Sequence, residues 1–178
     1  MTNLSDLLPA GAASKQLSFV ATGAISNGQA VGLNSDGTVS VIASAIGSET
    51  TFYSGRTSYI ATAYDSTNNK IVVFYRDQDD SSKGKAQVGT VSGTSITFGS
   101  AVEFEAGQTF YIDAVFDPDS GKVIVSYEDD SNSSYGTVIV GTVSGTSISF
   151  GTAVVFESTN TRWTSITYDT NVDRICIS

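Results

Sequence analysis

The chain has 178 residues, 40% of them apolar and only two proline, which is enough for one domain with a real core or for several copies of a small unit. Nine basic against eighteen acidic residues leave a net charge of −9 with no basic cluster, which argues against nucleic acid as a partner. No histidine and a single cysteine remove the usual catalytic triad, internal disulfides and most zinc sites.

The N-terminal stretch 1–27 is read as an arm with a lead-in strand. "TNLSDLLPAG" places Leu4, Leu7 and Leu8 at i, i+3, i+4 spacing, too short for a helix stable alone. It has neither the cationic start nor the apolar run of a secretory leader, and no segment of the chain approaches a membrane span. From "FVATGAISNGQAVGLNSDGTVSVI" onward the pattern alternates, with turn signals at "SNG" and "NSDG", so a β-hairpin segment is expected within 28–57.

Repetition then dominates. "VGTVSGTSITFGSAVEFE" from Val88 returns as "VGTVSGTSISFGTAVVFE" from Val140, 52 positions on, and 25 of 49 positions agree between Ser58–Ala106 and Phe110–Ser158 without a gap. Such self-similarity marks tandem copies of one supersecondary unit. Each unit reads as four strands: "YIATAYD", "KIVVFYR", "KAQVGTV" and "SITFGSAVEFE", the last bent near Gly99, with "SGT" as a tight turn. The expected class is all-β: tandem four-stranded antiparallel repeats resembling β-propeller blades, with repeat 1 at 58–107 and repeat 2 at 108–160. The offset also lays Gly37–Phe52 on Gly89–Phe104, so 28–57 is expected to hold a partial repeat equivalent to strands three and four. Residues 161–178 align with strands one and two of a third repeat.

Recurring aromatics, namely Tyr59, Tyr111 and Trp163 with Phe98, Phe150, Phe104 and Phe156, are expected to fill the space between sheets. Cys176, in "RICIS", reads as a small core residue. Leaving Ile166, Tyr168, Ile175 and Ile177 bare would forfeit about 1.5–3 kcal/mol each, roughly 6–12 kcal/mol together, so the last fragment needs a cover. The N-terminal fragment could supply it within or between chains, or a longer array could continue; the reading favours the longer array, with oligomeric closure second.

Asp65, Asp117 and Asp169 recur after an aromatic and are expected to cap turns through their own backbone. "RDQDDSS" (Asp77, Asp79, Asp80) and "YEDDSNSS" (Asp129, Asp130) gather oxygens but lack the glycine turn and closing bidentate acid of a calcium loop. They read as solvated turns, only weakly as cation sites, and no metal or cofactor is expected. No acid pair stands out for glycan cleavage.

The start "LSDLLPAG", the segment "FVATGAISNGQAVGLNSDGTVSVI" and the tandem units built on "VGTVSGTSI" resemble virion structural proteins of tailed marine bacteriophages, including cyanophage-like fibre and appendage proteins. The resemblance implies a non-enzymatic, homo-oligomeric virion component made in the host cytoplasm. Leu4, Leu7 and Leu8 would anchor to other virion proteins while the β repeats project. The alternative is a carbohydrate-binding β-propeller meeting a host surface glycan, with Tyr53, Tyr135 and Trp163 as its candidate residues.

Overall fold

The structure, a computed structural model, describes residues 19–27, 31–41 and 49–178. Leu4, Leu7 and Leu8 lie outside these. The chain divides into two units, Met1–Ile46 and Gly47–Ser178. In the first, β1 (Val31–Leu33) pairs antiparallel with β2 (Val39–Val41), in register from Val31↔Val41 to Leu33↔Val39. Asp36 accepts from the Thr38 amide and hydroxyl across the "NSDG" turn, and Gly37 takes φ +83°, a conformation open to glycine at no steric cost. The hairpin is where the turn signals put it. Gly37 nevertheless turns the chain, whereas Gly89, its partner at the 52-residue offset, lies inside a strand. At Gly37 local turn chemistry therefore sets a backbone conformation that its offset partner does not share, while Val39 and Ser40, like Val91 and Ser92, lie in strands.

The second unit is all-β and antiparallel. Strands β3 (Thr57–Asp65), β4 (Lys70–Asp77) and β5 (Lys83–Ser92) form a meander. β6 (Ser95–Phe98) and the first part of β7 (Val102–Asp117) both pair with β5, one beyond the other, so the fourth strand is interrupted at residues 99–101. The second part of β7 then opens the next meander with β8 (Lys122–Asp129) and β9 (Tyr135–Ser144). β9 in turn carries β10 (Ser147–Phe150) and β11 (Val154–Asn160). A hairpin of β12 (Ile166–Asp169) and β13 (Arg174–Ile177) follows.

Backbone conformation repeats with the sequence. Positive φ occurs at Tyr59, Tyr111 and Trp163, at Asn69, Gly121 and Asp173, at Ser81–Ser82 and Ser133–Ser134, and at Gly93 and Gly145, each set spaced by 52. Asp65, Asp117 and Asp169 accept from amides two or three residues on, as turn caps do.

The core lies between the two sheets. Val72, Phe74, Ala86 and Val88 of the first meet Val123, Val125, Tyr127, Val143 and Ile148 of the second, with Phe104 among them. Strands β4 and β8 are buried along most of their length, which explains their nearly unbroken apolar runs. Phe104 stands 5.2 Å from Tyr127 and 5.8 Å from Phe150; one repeat earlier, Phe52 stands 5.2 Å from Tyr75 and 6.1 Å from Phe98. Two of the expected inter-sheet aromatics, Phe156 and Trp163, are instead exposed. Cys176 is also exposed, a correction to its core reading: β13 alternates, and with Ile175 and Ile177 half-buried the residue between them faces outward.

Gly99 marks the junction. A Cβ there would overlap the backbone carbonyl of Thr146 in the turn after β9, while at the equivalent Gly151 the nearest atom is Val140 O at 3.7 Å. Gly99→Ala is expected to cost about 1–3 kcal/mol and Gly151→Ala less than about 0.5 kcal/mol, read from urea unfolding of the two variants.

Candidate functional site

Two constellations combine unusual geometry with chemistry-bearing groups. The first is an aromatic ladder on the opening strand of each repeat. The β3–β4 register slips between Ser58 and Ala61, and the β7–β8 register slips between Phe110 and Asp113. These bulges turn Tyr59 and Tyr111 into left-handed backbone, φ +49° at both, a conformation that costs an aromatic residue of order 1–3 kcal/mol. The rings meet as a result. Tyr59 and Tyr111 are 5.2 Å apart and Tyr111 and Trp163 are 4.6 Å apart. The Arg76 guanidinium lies 4.2 Å from the centre of Phe110 and donates to Ser82 Oγ at 2.8 Å, adding a cation–π contact beside the ladder.

Polar bonds tie the third opening strand to the second. The Ile166 amide donates to Asp113 Oδ2 at 2.9 Å, and the Thr164 hydroxyl donates to the Tyr111 carbonyl. Trp163 ends the ladder with 77% of its surface exposed.

The second constellation is acidic. Asp77, 1% exposed, accepts from Lys85 Nζ at 2.8 Å, from Tyr53 Oη at 2.9 Å and from the amides of Asp79 and Asp80. Lys85 also reaches Asp80 at 2.6 Å, and Asp79 is held by Arg56. Burial pushes the Asp77 carboxyl up, but bonds from Lys85, Tyr53 and the Asp79 amide outweigh it, so the net displacement is downward. Burial pushes Lys85 down, and its bonds to Asp77 and Asp80 raise it further in the opposite direction.

In the second repeat the equivalent Asp129 accepts from Ser131 Oγ at 2.6 Å and the Asn132 amide, with buried Thr137 in place of Lys85. Asp130 accepts from Ser134 Oγ. Asp77 and Asp129 are thus buried, which corrects their reading as solvated turn residues: Asp129 is bonded by its own loop, and Asp77 by its loop amides together with Lys85 and Tyr53, so burial does not leave either bare. Among the described residues no group of three or more His, Cys, Asp or Glu side chains is placed to hold a metal ion, and no pocket is found.

Lys85 and Arg76 carried no signal of their own in sequence. The available clue was charge of opposite sign on the two arms of one hairpin, "RDQDDSSKGK", where diagonal partners across β4 and β5 come within reach.

The three glycan candidates do not converge. Tyr53 packs 5.4 Å from Tyr75 and spends its hydroxyl on Asp77, Tyr135 is half-buried where β9 begins, and Trp163 contacts Tyr111. Their offsets differ: Tyr53 corresponds to Glu105, Tyr135 to Lys83 and Trp163 to Tyr111, so they hold three different places in the repeat. No protein-family model, curated protein or solved structure matches the chain.

Proposed function

We propose that the chain is a non-enzymatic structural subunit of a virion, part of a fibre or appendage, whose 52-residue sheets stack as propeller-like blades. Support comes from the copied packing: one aromatic arrangement, with matching ring distances and matching strained backbone, recurs at successive junctions. A catalytic site is typically unique, whereas a stiff projecting array is served by repeating one neighbour-to-neighbour solution. The virion assignment itself draws on the resemblance in sequence. The acidic surface keeps such a sheet-rich array from pairing edge to edge with unrelated sheets.

In this reading residues 1–15, with Leu4, Leu7 and Leu8, attach the subunit to other virion proteins. Co-sedimentation with purified particles tests it. Deleting 1–15 is expected to abolish association while leaving the far-ultraviolet dichroism of the β repeats intact; undiminished sedimentation of the deleted chain removes the arm from the mechanism.

One observation favours a second reading. Trp163 presents an exposed ring at the end of the ladder, the type of platform on which a host surface glycan stacks. Binding to a glycan array that disappears in Trp163→Ala would move the function to carbohydrate recognition.

A further inference from the structure

The aromatic ladder changes character between its first step and its second. At the first, the Arg76 guanidinium lies 4.2 Å from the centre of the Phe110 ring and 5.9 Å from that of Tyr59, and its Nη2 reaches Ser82 and Gln108. One repeat later the strained aromatic is kept as Tyr111, but Glu128 stands in the place of Arg76 and Arg162 in the place of Phe110. A cation over a ring has given way to a carboxylate and a guanidinium.

Neither of these groups is satisfied. Glu128 is 5% exposed, its Oε2 is sealed from solvent, and it makes no hydrogen bond or ion pair among the described residues. Arg162 is exposed and is, among the described residues, the one cation without a hydrogen bond, ion pair or ring contact. A buried charge left without a partner costs free energy, so its retention calls for a group that meets it. Sheet alternation sets the direction. Tyr127 packs inward on Phe104, so Glu128, the next residue of β8, faces the opposite side. In register it pairs with Phe110, next to Tyr111, whose ring carries Trp163 at 4.6 Å. Trp163, 77% exposed, follows Arg162 directly in the chain. An aromatic face, a free donor and a free acceptor thus share the open end of the ladder.

We propose that this surface binds a neutral hexose unit of a glycan: the C–H face of the sugar ring stacks on Trp163, one hydroxyl donates to Glu128, directly or through one water, and an adjacent hydroxyl accepts from Arg162. A hydroxyl both donates and accepts, so a vicinal pair matches a carboxylate, which only accepts, and a guanidinium, which only donates. Sugar C–H groups, slightly positive, suit the negative face of an indole. Charge decides against an acidic sugar: a net charge of −9, with Glu128 at the site itself, repels an anionic glycan, and the single guanidinium is offset by that carboxylate. The inference deepens the carbohydrate reading of Trp163, on which it rests, and is independent of the virion assignment.

Trp163 is the only tryptophan, so stacking reports directly in emission. Cellotetraose, mannotetraose and galactotetraose serve as neutral probes of the full chain, and tetragalacturonate as the anionic one. At least one neutral probe is expected to shift tryptophan emission saturably and to give a heat of binding in calorimetry, with tetragalacturonate weaker by about tenfold or more. Trp163→Ala should abolish that heat. Glu128→Gln and Arg162→Gln should each keep the β dichroism and weaken binding by about tenfold or more, the loss expected of a hydrogen bond to a charged group. Glu128→Gln also removes an unpartnered buried charge, so its urea midpoint should rise while its affinity falls. A carboxylate that serves only to pair with Arg162 gives the reverse, a lower midpoint in both glutamine variants, and that result overturns the proposal. Neutral and anionic probes bound alike, or glycan-array binding that is lost in Trp163→Ala yet unchanged in both glutamine variants, overturns it and leaves the carbohydrate reading standing. No saturable response to any probe or array glycan sinks both.

Discussion

Phe104→Ala is expected to lower the unfolding free energy by about 3–5 kcal/mol, and Phe156→Ala, the same substitution one repeat later, by only about 1 kcal/mol. The two phenylalanines occupy the same strand position and lie over equivalent glycines, Gly84 and Gly136. What differs is the other side of the ring. Phe104 is enclosed by Phe74, Tyr127 and Phe150, so truncation leaves a cavity between two sheets that cannot close without moving both. Among the described residues Phe156 has no equivalent enclosure, and it is over a third exposed, so removing it forfeits transfer energy without opening a sealed void. Urea unfolding of both variants checks the contrast; equal losses would mean that the sheets do not share Phe104 as a common core.

Lys85→Met is expected to cost about 3 kcal/mol at neutral pH, the lower end for breaking a buried ion pair, because Tyr53 and two amides still donate to Asp77. Replacement removes the cation bonded to a nearly fully buried carboxylate and leaves that charge next to Asp79 and Asp80. The second repeat manages without this lysine only because Ser131 and Asn132 stand where the first has Asp79 and Asp80.

The pH dependence follows from the directions of the shifts. Asp77 lies below its ordinary value of 3.8, so its contribution is complete above that value and lost as pH falls through the depressed folded one. Lys85 lies above its ordinary 10.5, so its contribution is complete below 10.5 and lost as pH rises through the raised folded one. The native pair therefore stabilises across the whole interval between those limits. In Lys85→Met the deficit should be largest near pH 7 and shrink as pH falls and Asp77 takes up a proton. A deficit independent of pH would show that packing of the lysine stem, not charge, was lost.

Tyr75 and Tyr127 show how far equivalence extends. Both are fully buried, yet the Tyr127 hydroxyl donates to Glu105 at 3.1 Å while the Tyr75 hydroxyl finds no acceptor among the described residues. Tyr53 stands in the place of Glu105 and directs its own hydroxyl to Asp77. Burial accordingly pushes the Tyr75 hydroxyl up to about 12. A reading of the sequence finds both tyrosines and their shared role as core residues, but which of them is satisfied depends on a neighbour from the preceding strand.

Much of the fold was legible because its signals are local. The strands, the "SGT" turns with Gly93 and Gly145 in left-handed backbone, the break at Gly99 and the aspartate caps follow from alternation, glycine and side-chain-to-backbone reach, all within a few residues. The candidate site was less legible. Lys85 depends on strand register, the strain at Tyr59 and Tyr111 depends on bulges, and neither is written in composition.

By itself the sequence determined the 52-residue period, the four strands of each repeat and the turns between them, since alternation and turn chemistry act over short stretches of chain. Only the tertiary structure decided that Val88 and Phe104 are core while Val140 and Phe156 are surface, and that Trp163 stands bare where Tyr111 is flanked by rings on both sides. The physical reason is that burial belongs to a residue together with what lies against it, and identical repeats have different neighbours.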